Sequence, residues 1–329
     1  MPKGLISQTV VVLFREEIEV GELRSLLTEF NVVREIEAAK DWEFGGPALL
    51  VEYLPEVNGY AQVDIVDRPW PDHMGNPKEE ITLFGAWSMG WFGPFTYPGG
   101  LRRALEQSWT WPEAKELVPQ HTAFVRIRMS YVFGAAKEAK CLPENYKPQA
   151  ELDFITTLAS TLLQHPQALG YFNPNGEVVR SKLLLDQAVI FANEHDLPAL
   201  DIWTNVRLFN INPEWLLMDT VGNRQLDIRD LEVAFPKDKV SPQEADRWLR
   251  NVTLYILKNK TAIKDGDTVD GPANLKWRAR TFEKGMSDPP RDVLRLLPYE
   301  VENIPPGLLE EKVKPPKEAA KEKPKWKFW

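Results

Sequence analysis

The chain has 329 residues, 43% of them hydrophobic, with twelve Trp, so it is long enough to bury a core without metal or disulfide support. Its formal net charge of −8 argues against a nucleic-acid-binding face, which normally carries a basic stripe. The single cysteine, Cys141, excludes an internal disulfide and is typical of a cytoplasmic protein. No apolar run approaches the roughly 18 to 20 residues that a membrane-spanning helix needs. We therefore expect a soluble, cytoplasmic, globular protein.

The first third of the chain predicts a β-α-β-β-β unit. The apolar run Ile6–Phe14 has the length of a buried strand and is not followed by a signal-peptide cleavage site. Apolar residues at helical spacing predict a helix over Val20–Phe30. Three further strands are predicted over Val32–Ile36, Ala48–Leu54 and Tyr60–Val66.

Residues 67–100 are rich in Pro, Gly and aromatic side chains and predict a long ordered loop. As a functional element, this loop would be a lid or a recognition surface that contacts a partner through Trp87, Trp91 and Phe92. The alternative, which we favour, is a connection that buries its own side chains.

The stretch from Ser108 to Phe133 predicts a short helix followed by a central strand. Thr110 and Glu113 have the spacing of a capping box, and Pro119 ends the helix. The strand then starts at His121 and alternates between an apolar face and a face that carries Arg126 and Arg128.

Periodicity continues to predict helices and strands along the remaining chain. The clearest helix start is Ser241-Pro242-Gln243-Glu244, a capping box with Pro in the first turn. The other predictions are helices over Leu101–Gln107, Gln149–Gln164 and Glu177–His195, strands over Leu169–Phe172 and Leu200–Ile211, a hairpin from Trp215, a short helix capped by Asp227, and one or two strands within Asp265–Arg280.

The last part of the chain differs in composition. Residues 303–329 are rich in Lys, Pro and Glu, and the segment 310–329 contains seven Lys and four Glu in all and ends in WKFW. Such a segment cannot bury enough apolar surface to order itself, so we predict a disordered tail. The predicted fold is a single large α+β domain over residues 1–302, with mostly antiparallel sheets and helices packed on one side. Internal halves 1–70 and 108–285, joined by the loop 67–100, are an alternative division.

Several segments taken in order carry a family resemblance: WTWPEA and the strand that follows it, PALDIWTNVRLF from Pro198, MDTVGNRQLDIRDLEVAF from Met218 and DGDTVDG from Asp265. Together they resemble the bacterial family known as domain of unknown function 4261, over roughly Ile6 to Gly271. The resemblance implies a single α+β domain and supplies no activity, cofactor or catalytic residue.

One candidate acid–base site emerges from the residues. His121 follows Glu113 by eight positions, and a histidine beside a carboxylate is a usual general-base arrangement. The more ordinary interpretation is a hydrogen-bonded structural histidine. Arg126, Arg128 and Arg207 could bind a carboxylate or phosphate, although such strand faces are more often simply solvated or paired with acidic side chains.

Metal and cofactor motifs are not predicted. The four histidines (His73, His121, His165 and His195) lack metal-ligand spacing, and the calcium-loop pattern of Asp265, Asp267 and Asp270 has its glycine and distal glutamate misplaced. Gly45-Gly46 and Gly99-Gly100 do not continue into a phosphate-binding loop. We therefore expect no metal and no cofactor.

Two functional hypotheses follow. The first is a non-enzymatic protein-binding or regulatory module that uses the aromatic loop and the tail residues Trp326, Phe328 and Trp329. The second is an enzyme or sensor for an anionic small molecule, with Arg126, Arg128 and Arg207 as binding residues and His121 with Glu113 as acid and base. The second requires these five residues to converge on one pocket.

Overall fold

The computed structural model describes residues 3–39, 42–136, 138–259, 263–299 and 301–310. They form one α+β domain with two mostly antiparallel sheets, as the sequence predicts. Only the pair formed by β10 and β13, defined below, is parallel within these residues. None of the helices in the described ranges is long and apolar enough to cross a membrane.

The first sheet has seven strands in the order β2-β3-β4-β5-β1-β6-β7. Its strands are β1 (Gln8–Phe14), β2 (Val32–Ile36), β3 (Ala48–Leu54), β4 (Gly59–Val66), β5 (Ala123–Ser130), β6 (Ala168–Asn173) and β7 (Val178–Arg180). β5 lies at the centre between β4 and β1, as predicted. Both of its faces are buried, so the predicted arginine face is an interior face.

Helices cover both faces of this sheet. One face packs against α1 (Val20–Leu26), α5 (Pro148–Leu162) and α6 (Lys182–Glu194). The other face packs against α2 (Ile81–Ser88), α3 (Gly100–Glu106) and α4 (Ala114–Leu117), together with the aromatic residues around them. The predicted loop 67–100 therefore contains a helix, because Leu83, Ala86 and Trp87 bury one helical side against the sheet. The predicted capping box at Thr110 is wrong, since α4 begins after Glu113 and no side chain caps it.

The second sheet has six strands in the order β11-β12-β13-β10-β9-β8. Its strands are β8 (Asn205–Asn210), β9 (Trp215–Val221), β10 (Asp230–Pro236), β11 (Thr268–Asp270), β12 (Lys276–Phe282) and β13 (Val293–Pro298), preceded by the short helix α7 (Leu200–Trp203). One face is covered by α8 (Pro242–Asn259). The predicted capping box of α8 is confirmed, because the Ser241 N–H donates to Glu244 and the Glu244 N–H donates to the Ser241 hydroxyl.

Three predictions for this half of the chain need correction. Asp227 does not cap a helix, since it has a left-handed backbone conformation and β10 follows. The predicted strand from Leu200 begins as α7, because Ile202 and Trp203 are buried beneath the first sheet instead of alternating along an edge. The predicted helix from Glu177 begins only at Lys182, after β7 has completed the first sheet.

A largely buried ionic network joins the two sheets. Glu177, in the turn after β6, accepts hydrogen bonds from Arg103 of α3 and Arg207 of β8. Arg207 also makes two hydrogen bonds, 2.9 and 2.7 Å long, with the carboxylate of Asp219 on β9. Asp219 accepts a further hydrogen bond of 2.7 Å from Arg291. The network fixes the second sheet against the first.

The described chain continues to residue 310, past the predicted start of the tail. Leu308 is fully buried against the outer face of the second sheet, and its carbonyl oxygen accepts a 2.8 Å hydrogen bond from Arg295. The tail boundary predicted at residue 303 therefore lies too early. Trp326, Phe328 and Trp329 lie outside the described residues.

Candidate functional site

The predicted acid–base pair is not assembled. The Nε2 atom of His121 accepts a 2.9 Å hydrogen bond from the Trp70 N–H, and Nδ1 lies 2.6 Å from the carbonyl oxygen of Val118. Burial lowers the pKa of His121, so the neutral form with a proton on Nδ1 fits both contacts. Glu113 is exposed and is not a hydrogen-bond partner of this ring. The structure thus matches a structural histidine that joins two backbone segments.

The three predicted ligand-binding arginines lie in two different buried networks. Arg126 and Arg128 of β5 share the Asp64 carboxylate, at 2.6 and 3.3 Å, beneath the Trp91 ring. Burial and the neighbouring Arg126 charge lower the pKa of Arg128 to about 9. Arg207 belongs to the network between the sheets. The convergence required by the small-molecule hypothesis in this form is therefore absent from the geometry.

The aromatic residues of the segment 67–100 contribute to the core. Phe92 is fully buried and Trp87 is 7% exposed, and both contact the Trp70 ring. Trp91 is half-buried and donates a 2.9 Å hydrogen bond to the carbonyl oxygen of Phe44. This arrangement corresponds to the alternative in which the segment buries its own side chains. A recognition surface built on Phe92 would first require this core to open.

In the described ranges, no group of three or more His, Cys, Asp or Glu side chains could hold a metal ion. The most unusual exposed feature instead belongs to α6, which begins at the Ser181 cap, where the hydroxyl accepts from the Leu184 N–H. Eight of its thirteen residues are apolar, but only Leu185 and Ala192 are buried. Leu183, Ile190 and Phe191 remain 65%, 55% and 54% exposed. The helix therefore presents an apolar side to solvent.

Two grooves run beside α6. The groove toward α8 has a volume of about 780 Å³ and an apolar lining that includes Trp109, Phe191, Leu197, Leu208 and Met218. The groove toward α5 has a volume of about 810 Å³, and α6 contributes Val189 and Ile190 to it. Both grooves meet at Ala192 and the segment 197–199. We call α6 and these two grooves the α6 surface.

The two grooves differ in charge. In the groove toward α8, Arg250 pairs with both Asp201 and Asp246. Burial lowers the pKa of Arg250, but these two carboxylates outweigh that effect and raise it. The groove toward α5 is lined by Asp153, Asp186 and Asp196, and its described lining includes no basic side chain, although Lys182 reaches Asp186 at 2.5 Å. The surface thus combines apolar contacts with an acidic side.

The side chain of Phe191 is held in place on this surface. Its ring stacks on the His195 ring, with centroids 4.2 Å apart and an interplanar angle of 29°. His195 in turn contacts the Phe191 carbonyl oxygen through Nδ1, at 2.9 Å. An ordered aromatic ring loses little conformational entropy on binding and is suited to act as an anchor.

The sequence contained a signal for this surface. Apolar residues occupy positions 183–185 and 188–192, which is more than one side of a helix can bury. Periodicity predicted the helix, but it could not say which side would face solvent, because that depends on how α6 lies against β6 and β7.

Comparison with known proteins gives one family match. The family described as domain of unknown function (DUF4261) matches residues 219–297, from Asp219 on β9 to Leu297 on β13. No curated protein and no solved structure gives a significant match to the chain. The matched segment contains β10, α8, β11, β12 and all but the last residue of β13. It also contains Asp219 and Arg291 of the ionic network, together with Asp230, which lies 3.3 Å from Arg291. The matching family is the one that the sequence resembles, and the match lies in the second sheet and the helix that covers it.

Proposed function

We propose that this chain is a protein-binding module whose recognition surface is the α6 surface. The observation that carries the proposal is that Leu183, Ile190 and Phe191 are exposed on a regular α-helix. Exposed large apolar side chains beside grooves with polar rims often mark protein-interaction sites. Two neighbouring grooves supply space for the anchor side chains of a partner.

The chemistry of the surface defines the expected partner. Large apolar side chains of the partner would enter the groove beside Phe191 and Trp109. Basic side chains would lie over Asp153, Asp186 and Asp196 in the groove toward α5. The net charge of −8 also supports a protein partner over a nucleic acid. A cytoplasmic setting belongs to the proposal and is supported by the lone cysteine, Cys141.

The tail remains a second proposed contact. Trp326, Phe328 and Trp329 alternate with Lys325 and Lys327, which gives the segment the aromatic and basic character that the α6 surface would recognise. In the proposal, the tail either extends the contact with a partner or competes with that partner for the α6 surface. Shortened chains distinguish these two roles, because removing the tail would weaken capture in the first and strengthen it in the second.

The test is quantitative capture from an extract of the native host, followed by mass spectrometry. The full chain is compared with Phe191→Asp and with the control Ile81→Asp, which alters an equally apolar side chain that is 68% exposed on α2. We expect a specific protein to be captured by the unaltered chain and the control, and to be reduced about 30-fold or more by Phe191→Asp, as for a hot-spot residue worth about 2 kcal/mol. Equal capture by all three proteins would refute the proposal.

A further inference from the structure

The last seven residues of the sequence, 323–329, read KPKWKFW. They combine three lysines with three large aromatic side chains and contain no acidic residue. Aromatic side chains are the usual anchors of short segments that bind in a groove. We call residues 323–329 the KPKWKFW segment. Its chemistry fits a surface that offers both apolar grooves and carboxylates.

The two grooves of the α6 surface differ in net charge. The lining of the groove toward α5 contains three aspartates and no basic side chain among the described residues, and Lys182 offsets one of these charges by pairing with Asp186. The described lining of the groove toward α8 contains three arginines and two aspartates: Arg180, Arg247, Arg250, Asp201 and Asp246. The groove toward α5 is therefore negative, whereas the groove toward α8 has one positive charge in excess.

An extended chain suits this pair of grooves. In an extended backbone, alternate side chains point to opposite sides, so Trp326 and Phe328 share one side and Lys325 and Lys327 share the other. Because α6 lines both grooves, a segment that lies along this helix can place its lysines over the acidic groove and its two rings in the groove toward α8, beside Phe191. The excess arginine charge in that groove favours the negative faces of aromatic rings.

The segment is within reach of the α6 surface of the same chain. The described residues end at Glu310, shortly after Leu308, which packs on the outer face of the second sheet. The groove toward α8 adjoins the opposite face, where Leu208 and Met218 lie. The step from β13 to the edge strand β8 and through the sheet is about 25 Å, at about 4.8 Å per strand and about 10 Å between packed layers. Residues 311–325 cover about 50 Å when extended, which leaves length for a path around β8.

The covalent connection makes a weak contact sufficient. A segment tethered to a site that its tether can span has an effective concentration on the order of 1 mM at that site. An intrinsic Kd of about 0.1 mM would therefore keep the α6 surface about 90% occupied. A partner that uses the same surface would bind about tenfold more weakly than it would to an unoccupied surface.

We propose that the KPKWKFW segment occupies the α6 surface of its own chain, with its aromatic rings in the groove toward α8 and its lysines over the groove toward α5. The role of this contact rests on the proposed function: a protein partner binds by displacing the segment. The docking itself rests on the shape and charge of the grooves and on the length of the connecting chain. Of the two roles proposed for the tail, this inference selects competition with the partner.

The test is intramolecular photo-crosslinking in the purified full chain. A benzophenone amino acid replaces Phe328, and the dilute protein is irradiated, digested and mapped by mass spectrometry. We expect crosslinks within one chain to the residues between 188 and 208 or between 242 and 254 that line the groove toward α8. Absence of a crosslink within the chain, crosslinks only to another face, or crosslinks only between two chains would overturn the proposal.

Variants of the surface locate the contact. Phe191→Asp should reduce the crosslink yield at least fivefold, and Asp153→Asn combined with Asp196→Asn should reduce it at least twofold. The matched control, Glu56→Gln combined with Glu79→Gln, removes two exposed carboxylates outside both grooves and should leave the yield unchanged. Asp153 and Asp196 are exposed, so their double variant keeps the test decisive if Phe191→Asp does not fold. Equal yields from all these proteins would contradict docking on the α6 surface.

Capture from the host extract separates this inference from the proposed function. A full chain with Trp326→Ala, Phe328→Ala and Trp329→Ala should bind the partner about tenfold more tightly than the unaltered chain, and equal or weaker binding would overturn the competition. A partner captured through Phe191 without any tail crosslink would refute this inference alone. A tail crosslink without a captured partner would refute the proposed function and leave the docking in place.

Discussion

Arg207 on β8 lies directly opposite Asp219 on β9 in the register of the second sheet, and each is almost completely buried. Burial raises the pKa of Asp219, but Arg207 and Arg291 outweigh it and hold the pKa below its ordinary value. Together with Arg103, Glu177 and Asp230, these residues give three positive and three negative charges. A balanced, buried network of this kind leaves no charge free for a ligand, so Arg207 acts as a structural link between the sheets.

The first prediction tests this structural role. Asp219→Asn removes the carboxylate that Arg207 and Arg291 share, so both arginines stay buried with fewer acidic partners. Removing one partner of a buried ion pair costs about 3–5 kcal/mol. We expect the free energy of unfolding in urea to fall by this amount. The control is Glu35→Gln, which breaks the ion pair between Glu35 and Arg24. Both side chains of this pair are about half exposed, so the substitution should cost less than about 1 kcal/mol. Equal losses for the two variants would argue against the network.

The second prediction concerns pH. Burial raises the pKa of Glu151 from 4.5 to about 7, partly offset by Tyr131 and Lys3. The folded protein therefore holds this proton more tightly than the unfolded chain. The contribution of Glu151 to the free energy of unfolding thus falls as pH rises from 4.5 to about 7 and levels off above it. The groups that face Glu151 are Lys3, Tyr53, Tyr131, Tyr146 and Asp227.

The Glu151→Gln variant isolates this contribution. It cannot titrate, so its stability relative to the unaltered protein should improve by about 3 kcal/mol between pH 4.5 and pH 8. Urea unfolding at several pH values measures the difference. A constant difference between the two proteins over this range would show that folding does not raise the pKa of Glu151.

The third prediction separates a core role from a recognition role for the aromatic segment. Phe92 is fully buried among Phe44, Trp70 and Trp87, so Phe92→Ala should cost about 3–5 kcal/mol of stability. Trp109→Ala alters a side chain that is 67% exposed and should change stability by less than about 1 kcal/mol. A Phe92→Ala protein as stable as the unaltered protein would contradict the core role and favour a recognition role for the segment.

The fourth prediction concerns where the chain can be shortened. A chain that ends at Glu310 keeps Leu308 and its hydrogen bond to Arg295, so its stability should match that of the full chain. A chain that ends at Asn303 loses both and should be about 3 kcal/mol less stable. Thermal and urea unfolding of the two shortened chains measure this difference, and equal stability would place the domain boundary at the earlier position.

Local patterns predicted much of the fold. β2 and β3 have the bounds that the sequence predicts, and the Ser241–Glu244 capping box starts α8. The central position of β5 followed from its length. Its alternation of apolar and charged residues left open whether the arginine face was solvated, paired with acidic side chains or bound to a ligand. Periodicity cannot show that Arg126 lies beside Asp64 on the neighbouring strand.

The candidate sites depended on contacts that the sequence does not show. Glu151 and Lys3 are 148 positions apart, and the raised pKa of Glu151 follows from burial by the first sheet. Asp227 was interpreted as a helix cap because aspartate often serves that role, whereas its left-handed conformation instead turns the chain into β10. The surface of α6 likewise depends on the tertiary packing that leaves Phe191 uncovered.

The fifth prediction is that Phe191→Asp separates binding from stability. Phe191 is 54% exposed, so the substitution should lower the free energy of unfolding by less than about 1 kcal/mol while reducing partner capture about 30-fold or more. A loss of several kcal/mol would instead show that Phe191 is a core residue.

The most direct test of the α6 surface is site-specific photo-crosslinking in the native host. A benzophenone amino acid replaces Phe191 in one protein and Ile81 in another, both in the full chain. We expect a discrete crosslinked protein, identifiable by mass spectrometry, from position 191 and none from position 81. Absence of a crosslink at 191, or the same products from both positions, would contradict a recognition surface on α6.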